Sequence, residues 1–470
     1  MADILEDANG ELKKSTNVSE YFNRGNAYLD HGNFDLAFAN YNEAVKFIPD
    51  DAETPKGGDD LDKIIAESAE AIGLDPDDAE AYFNRGTAYS EKGEFDKAVA
   101  DYNEAIRLDP YEATIYINRG IAYSTNNCIN AAMADLNTAV RLDPGDALAY
   151  FNRGLVYGGK GDLDSAIADF TESIRLDPDF ADAYSIRGYA YSKKDKYDLA
   201  REDYNEAVRL DPGDAVKYFN RGLLCGQHGE LDLAIKDFTE AIRLDPRYAE
   251  AYYIRSCAYG DRGDYDLTIA DCNEAIRIDP GYSDAYCNRG NAYADKGDYE
   301  MAVADYNEAI RLAPDYADAY CNRGQAYANM GDSDKAVADY NETIRLDARN
   351  AEAYCNRGIL YGDSGDYERA VADFTEAIIR LDPLDRNLAA AYSNRGSAYR
   401  EMGEFVNAIA DYTEALGLEP DSADRYRARG DLYVKIGDAD SAIADYNEAI
   451  RLNPNCEEAK KALSELNNGK

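Results

Sequence analysis

The sequence predicts an all-α solenoid made of stacked helical hairpins. One pattern of apolar, glycine and charged residues returns every 34 residues along most of the 470-residue chain. Within each copy, apolar and small residues recur at helical spacing, as Tyr82, Gly86 and Tyr89 do near the start of one copy. Because a single hairpin cannot bury both of its faces, neighbouring copies must stack into a continuous array.

The pattern forms twelve full repeats, and each repeat predicts two helices joined by a tight turn. The repeats begin at residues 18, 79, 113, 147, 181, 215, 249, 283, 317, 351, 389 and 423. In the second repeat, Gly93 separates the two apolar blocks and predicts the turn between helix A and helix B. Pro110 then ends helix B, because proline cannot continue a helix.

The remaining residues form the two ends and two irregular segments. A polar tail (1–17) precedes the first repeat (18–51), and a partial repeat (52–78) follows it. The partial repeat keeps a helix B at Leu61–Leu74, but a segment that we expect to be a disordered loop replaces its helix A.

The rest of the chain continues the array to its C-terminal end. Repeats 2 to 10 occupy 79–388, with a four-residue insertion in the tenth repeat, and repeats 11 and 12 occupy 389–456. Residues 457–470 predict a capping helix with a polar outer face, which repeat arrays need for solubility.

The repeat resembles that of the tetratricopeptide repeat (TPR) family over residues 18–456. Counted from the first residue of each repeat, the family favours an aromatic residue at position 4, Gly at 8, Tyr at 11, Ala at 20, an aromatic residue at 24, Ala at 27 and Pro at 32. Here position 4 is Tyr in all twelve repeats, and position 11 is Tyr in eleven. The resemblance implies a right-handed superhelical solenoid whose A helices line a concave groove.

Two charged positions depart from the family pattern. Position 7 is Arg in every repeat, and position 23 is Asp in eleven of the twelve. Since the two positions can lie across from each other in an antiparallel hairpin, we expect one Arg–Asp pair per repeat. The alternative is an arginine ladder that lines the groove for an acidic ligand.

Position 6 carries a column of asparagines that the resemblance places in the groove. Its members are Asn23, Asn84, Asn118, Asn152, Asn220, Asn288, Asn322, Asn356 and Asn394. Carboxamides can both donate to and accept from an extended peptide backbone, so we predict that the column binds a peptide. The alternative is a structural role, in which each asparagine bonds a neighbouring helix end.

Position 5 adds an apolar stripe to the predicted peptide-binding site. The aromatic residues expected to contact a peptide are Phe83, Phe151, Phe219 and Tyr253. Later repeats carry Cys287, Cys321 and Cys355 at the same position, which duplication explains and which we expect to be free structural thiols.

Charge and composition exclude several classes of function. The chain has 92 acidic and 50 basic residues, a formal charge of −42 that would repel nucleic acid. We expect no membrane span, because no long apolar run is present, and no secretory signal at the N-terminus. Free cysteines then predict a cytoplasmic location. We find no spacing typical of a catalytic, metal or cofactor site, so we expect no enzyme activity and no cofactor.

These observations favour a non-catalytic scaffold that binds an extended segment of a partner protein in its concave groove. Positions 2, 5 and 6 are mostly acidic or neutral, so we expect a neutral or basic protein or peptide as the partner. The alternative is a structural protein that self-assembles into homo-oligomers or filaments, because a nearly uniform repeat can also recognise itself.

Overall fold

The computed structural model describes residues 58–382, 385 and 387–468, and over these ranges it contains helices and no strands. The predicted tail (1–17), the first repeat (18–51) with Asn23 and most of the expected loop (52–57) lie outside the described residues. The chain divides into two compact units, Met1–Arg262 and Gly263–Lys470, and each is described by itself.

The first unit contains twelve described helices, which alternate between A and B helices after the B helix of the partial repeat. They are α1 (Gly58–Leu74), α2 (Ala79–Glu91), α3 (Phe95–Leu108), α4 (Ala113–Thr125), α5 (Ile129–Leu142), α6 (Ala147–Gly159), α7 (Leu163–Leu176), α8 (Ala181–Ser192), α9 (Tyr197–Leu210), α10 (Ala215–Gln227), α11 (Leu231–Leu244) and α12 (Ala249–Asp261).

The second unit also contains twelve described helices, and it ends with the helix expected to cap the array. They are α13 (Tyr265–Ile278), α14 (Ser283–Asp295), α15 (Tyr299–Leu312), α16 (Ala317–Asn329), α17 (Ser333–Leu346), α18 (Ala351–Asp363), α19 (Tyr367–Arg380), α20 (Asn387–Glu401), α21 (Phe405–Leu418), α22 (Ala423–Ile436), α23 (Ala439–Leu452) and α24 (Glu457–Asn468).

Within each unit, every helix packs on the helices before and after it in the chain, which confirms an all-α solenoid. Helix α1 begins at Gly58, one turn before the predicted start at Leu61. Gly58 and Asp59, which we expected in the loop, therefore lie in the helix, because the acidic residue types before Leu61 are compatible with the first turn of a helix.

Glycine at position 8 allows the two helices of a hairpin to approach closely. A Cβ atom on Gly154 in α6 would lie 2.7 Å from Cε1 of Phe170 in α7, and one on Gly290 would lie 2.7 Å from Cε1 of Tyr306. Both distances are shorter than any ordinary carbon–carbon contact. The aromatic ring at position 24 therefore packs directly on the backbone of helix A.

The turn between helices A and B requires a left-handed backbone conformation at position 15. Gly93 has φ of 75°, and the corresponding residues in the third and fifth repeats are Asn127 (φ 56°) and Asp195 (φ 55°). Asparagine and aspartate adopt this conformation more readily than other non-glycine residues. The two substitutions therefore keep the same turn without glycine.

The predicted Arg–Asp pairs are confirmed. In the fourth repeat, Nε and Nη2 of Arg153 each donate to a carboxylate oxygen of Asp169 at 2.7 Å. Nη1 of the same guanidinium donates to Oδ1 of Asn137, 3.1 Å away in the preceding repeat, and the ring of Tyr150 lies 5.4 Å from its central carbon. The Asp169 carboxylate raises the pKa of Arg153 above its usual value.

The same bidentate pair occurs in ten repeats across the two units. The pairs are Arg85–Asp101, Arg119–Asp135, Arg153–Asp169, Arg187–Asp203, Arg221–Asp237, Arg289–Asp305, Arg323–Asp339, Arg357–Asp373, Arg395–Asp411 and Arg429–Asp445. Each arginine thus joins helix A to its own helix B, and the tyrosines at position 4 cover it. This explains much of the tyrosine content of the sequence.

Every helix in the part of the chain that the structure describes is too short or too polar to cross a bilayer.

Candidate peptide-binding groove

A hollow between α1 and α2 contains two of the residues predicted to bind a peptide. It has a volume of about 550 Å³ and lies between the B helix of the partial repeat and the A helix of the second repeat. Leu61, Ile64 and Ala71 of α1 form one wall, and Phe83 and Asn84 of α2 form the other. Phe83 is half-buried and Asn84 is exposed, so a ring and a carboxamide are both open to a ligand.

Acidic residues surround this hollow. Glu67 of α1 and Glu80 and Glu91 of α2 are exposed at its edge, and Asp78 lies at the start of α2. The carboxylate of Asp78 accepts a hydrogen bond from the Ala81 backbone N–H at 2.9 Å, so it also caps the helix. A partner segment that enters the hollow therefore meets apolar walls and a negative rim.

The remaining asparagines of the first unit differ from Asn84 in exposure. Nδ2 of Asn118 donates to the backbone oxygen of Thr114 at 3.0 Å, and Nδ2 of Asn152 donates to that of Leu148 at 2.9 Å. Asn118 is half-buried, whereas Asn152 and Asn220 are buried. The structure therefore does not present the asparagines of this unit as a uniform row of free carboxamides.

In the second unit two asparagines of position 6, Asn288 and Asn322, contact side chains of the preceding repeat. Nδ2 of Asn288 lies 3.7 Å from Sγ of Cys272, and Nδ2 of Asn322 donates to Oδ1 of Asn291 at 2.9 Å. Asn356 and Asn394 are half-buried like these two. Each of these two side chains links one A helix to the previous hairpin and is only half-buried.

The predicted aromatic residues of position 5 fall into two groups. Phe151 is fully buried, with its ring centroid 4.7 Å from that of Phe180. Phe219 is also buried, with its ring 4.9 Å from that of Tyr248, whereas Tyr253 is half-buried. Phe151 and Phe219 therefore belong to the core and are not accessible to a peptide, and Phe83 and Tyr253 keep exposed ring surface.

The cysteines of position 5 are free thiols that burial makes unreactive. Burial raises the pKa of Cys287 and Cys321 to about 12 and that of Cys355 to about 11. Since the thiolate is the nucleophile and the metal ligand, these side chains stay protonated at neutral pH. Among the described residues no group of three potential ligands is placed to hold a metal ion.

A correlation between positions 9 and 24 escaped the sequence analysis. The Tyr102 hydroxyl donates to Oγ1 of Thr87 at 3.2 Å, and the Tyr446 hydroxyl donates to Oδ1 of Asp431 at 2.7 Å. Where position 24 is Phe or Leu, position 9 is apolar, as in the third, fourth, sixth and tenth repeats. This pairing of residue types could have been found in the sequence, because a buried tyrosine hydroxyl needs a hydrogen-bond partner and a phenyl ring does not.

A buried lysine also escaped the sequence analysis. Lys217 stands at position 3, which is Ala in eight of the twelve repeats. Its Nζ lies 2.8 Å from Asp182, 2.6 Å from Asp214 and 3.2 Å from Asp211. Burial alone would lower the pKa of Lys217, but these carboxylates raise it above its usual value. Asp182, at position 2 of the preceding repeat, is therefore paired with a buried cation.

Models of the tetratricopeptide repeat match a series of segments between residue 21 and residue 456. A model described as "TPR repeat" matches 126–161, 258–297 and 290–331, and models described as "Tetratricopeptide repeat" match 21–51, 79–112, 156–215, 215–248, 317–350, 351–380, 389–422 and 423–456. No curated protein matches the sequence.

Several solved structures are similar to the chain. The anaphase-promoting-complex hetero-tetramer Cut9–Hcn1 is 14% identical, with 96% of each chain covered and a TM-score of 0.44. A tetratricopeptide repeat protein from Parabacteroides merdae is 21% identical over 54% of this chain and 98% of its own, with a TM-score of 0.44. YrrB, titled a TPR protein with an unusual peptide-binding site, is 27% identical over 39% of this chain and 95% of its own, with a TM-score of 0.34.

Repeat models thus match most of the chain, and the described helices form the hairpins that these models represent. The chain belongs to the tetratricopeptide repeat family, whose members are generally non-catalytic scaffolds that bind protein or peptide partners.

Proposed function

We propose that this protein is a non-catalytic scaffold that holds an extended segment of a partner protein in the groove lined by its A helices. The observation that carries the proposal is the hollow between α1 and α2. There Phe83 and Asn84 combine an accessible ring with an accessible carboxamide in a concave, largely apolar site.

An extended backbone suits the spacing of this surface. Packed helices lie about 8–10 Å apart, so half-buried asparagines on successive A helices can meet a peptide at regular intervals. The exposed carboxamide of Asn84 can donate to a peptide C=O and accept from a peptide N–H. Asn118, which is half-buried in the next repeat, offers its Oδ1 because its Nδ2 already bonds the helix.

The charge of the groove favours a neutral or basic segment. Glu67, Glu80 and Glu91 at the edge of the hollow would attract lysine or arginine side chains and repel an acidic segment. The effect acts mainly on the association rate, so salt should weaken the preference.

The test is fluorescence anisotropy with three pools of labelled, unstructured peptides that are basic, neutral or acidic. We expect the basic pool to bind best, and we expect Phe83→Ala and Asn84→Ala to weaken its binding about fivefold or more. Asn130→Ala, which changes an exposed asparagine on the B helix α5, is the matched control and should bind normally. Equal binding by all three variants would contradict the proposal.

Self-assembly is the second candidate function, and exposed apolar side chains on B helices favour it. Position 19 is exposed and apolar at Leu199 and Leu233 in the first unit, and at Leu267 and Met301 in the second. Sedimentation velocity over an approximately hundredfold concentration range separates the two functions. A single species near 52.0 kDa supports the scaffold. Growth into larger species that Leu199→Lys and Leu233→Lys abolish supports self-assembly.

A further inference from the structure

A polar contact between neighbouring repeats recurs at the edge formed by the A–B turns. Position 14 lies at the C-terminal end of helix A, and position 18 lies in the first turn of helix B. In the seventh repeat, Nη1 of Arg262 donates to Oδ1 of Asp232, 30 residues earlier in the chain, at 2.9 Å. The same contact joins Lys92 to Asp62, Asn126 to Asp96, Lys194 to Asp164 and Lys296 to Asp266.

The junction between the eleventh and twelfth repeats has apolar residues at both of these positions. Position 18 is acidic in ten of the twelve repeats, but it is Val406 in the eleventh, and position 14 of the twelfth repeat is Ile436. These two residues are also 30 residues apart, without an insertion between them, and α21 packs against α22. The register therefore places Ile436 beside Val406, as it places Arg262 beside Asp232.

Both apolar side chains stay accessible to solvent. Val406 is 72% exposed and Ile436 is 46% exposed. Because an exposed ion pair contributes little to stability, its replacement at this junction removes little from the fold. Apolar side chains that remain open to water gain free energy when a partner covers them. In the whole sequence, this is the one junction at which positions 14 and 18 are both apolar.

Acidic residues border the apolar pair. Glu404 is exposed at the start of α21. The Ser441 hydroxyl and backbone N–H donate to Asp438 and lower the pKa of its carboxyl, so this group stays ionised at neutral pH. Lys435 is the one basic residue in the last turn of α22, and it does not balance the two carboxylates. The charge around the pair therefore complements a basic segment.

We propose that Val406 and Ile436 form a binding site for an aliphatic side chain that lies next to a lysine or arginine in a partner segment. The aliphatic side chain covers the apolar pair, and the basic side chain faces Glu404 and Asp438. A second copy of this chain fits the site less well, because a formal charge of −42 repels an identical molecule. The site lies at the A–B turns and not in the groove, so it goes beyond the proposed function.

The experiment titrates the peptide acetyl-Gly-Leu-Lys-Lys-amide into the full-length protein and follows ¹³C-labelled valine and isoleucine methyl groups by NMR. We expect saturable shifts at Val406 and Ile436. One comparison peptide has Ser in place of Leu and lacks the aliphatic side chain. The other has Glu in place of both Lys and carries the wrong charge. We expect each comparison peptide to bind at least about fivefold more weakly.

The double variant Val406→Asp, Ile436→Lys removes the apolar pair without disturbing the hairpins. It installs the residue types that form ion pairs at the other junctions, so we expect it to fold normally. Ile409 lies one turn after Val406 in α21 and is present in both proteins, so its methyl group reports on binding in each. We expect the peptide-dependent shift of Ile409 to disappear in the double variant.

The reciprocal double variant transfers the apolar pair to another junction of the second unit. Asp266→Val with Lys296→Ile replaces an ion pair between the seventh and eighth repeats. Asp264 and Asp298 stand there at the positions that Glu404 and Asp438 occupy in the later repeats, so the acidic border is kept. We expect the introduced methyl groups to respond to the same peptide.

Four results would each overturn the proposal. They are the absence of a saturable shift at Val406 and Ile436, equal binding by either comparison peptide, an Ile409 response that persists in the first double variant, and no response in the reciprocal one. Shifts of the same methyl groups that grow with protein concentration in the absence of peptide would also overturn it, because they would assign the surface to a second copy of the chain.

Discussion

The two units fill the same repeat position with different chemistry. In the first unit, Phe151 and Phe219 at position 5 are buried rings that contact the rings of Phe170 and Phe238 at position 24 of the same hairpin, with centroids 5.7 and 5.6 Å apart. In the second unit, position 5 holds cysteines in three consecutive repeats, of which Cys287 and Cys321 are buried and Cys355 is half-buried. The hydrogen-bonded asparagines Asn288 and Asn322 accompany the first two of these thiols, whereas aromatic packing dominates the middle of the first unit.

The difference shows that the residues that build the hairpin and the residue at position 5 can vary independently in the sequence. Both units keep the Arg–Asp pairs, the close packing at position 8 and the left-handed turn. Positions 9 and 24 vary together in these otherwise constant hairpins, whereas position 5 varies independently of them. Chemistry at the base of the groove can therefore change from apolar to polar without altering the hairpin.

Removal of a buried ring should have the largest effect. We expect Phe219→Ala to cost about 3–5 kcal/mol of stability, because it leaves a cavity between Phe238 and Tyr248. Cys321→Ala, at the same position in the second unit, should cost about 1 kcal/mol, since it removes one small group. Chemical denaturation with hydrogen exchange in each unit measures both changes. Equal costs would show that position 5 is packed alike in the two units.

Breaking an Arg–Asp pair should have the next largest effect and should be the same in both units. We expect Asp169→Ala and Asp305→Ala each to cost about 3 kcal/mol, because each leaves a partly buried guanidinium without its carboxylate. Exposed Asp96→Ala is the control and should change stability little. A loss of stability in one unit only would contradict the claim that the Arg–Asp pairs stabilise the hairpins of both units equally.

Alkaline pH should destabilise the second unit through its thiols. Burial raises the pKa of Cys287 and Cys321 to about 12 from an ordinary value near 9. Their contribution to stability is therefore complete below pH 9 and is lost as the pH rises from 9 towards 12. In thermal melts between pH 8 and pH 10.5, the melting temperature should fall as the pH rises. This fall should be shallower in the Cys287→Ala, Cys321→Ala double variant. An identical slope in this variant would assign the fall to other groups.

The smallest expected effect comes from the hydrogen bonds at position 9. Asn291→Ala removes an acceptor from two donors and should cost about 2 kcal/mol, whereas Thr87→Val removes an acceptor from Tyr102 alone and should cost about 1 kcal/mol. Denaturation midpoints measure both. Costs in the reverse order would mean that Asn322 finds another acceptor.

The sequence was sufficient to predict the helical hairpins and the way they stack. The 34-residue period, Gly at position 8 and the Arg–Asp positions are fixed by backbone geometry and by charge, which repeat in every hairpin. Exposure of the asparagines could not be predicted, because it depends on the residues of neighbouring hairpins. Asn84 is exposed beside the hollow, whereas Asn152 at the same position is buried and bonds its own helix.

The burial of Phe151 has the same cause. Its ring contacts Phe180, which stands at the last position of the repeat, and that position varies along the chain. The 34-residue period identifies which residues lie on the same face of helix A. It does not give the volume that neighbouring hairpins leave for each side chain. The correlation of positions 9 and 24 provides part of this information, because it shows which hairpins contain a buried tyrosine hydroxyl with a polar partner and which contain only apolar side chains.

Hydrogen exchange of the full-length protein, with and without the tightest-binding labelled peptide, tests the central claim most directly. The account predicts that the bound peptide slows exchange in α1, α2 and the following A helices, and that Asn84→Ala removes this protection while Asn130→Ala keeps it. Protection confined to the B helices that follow α1, or protection that Asn84→Ala leaves unchanged, would contradict binding in the groove.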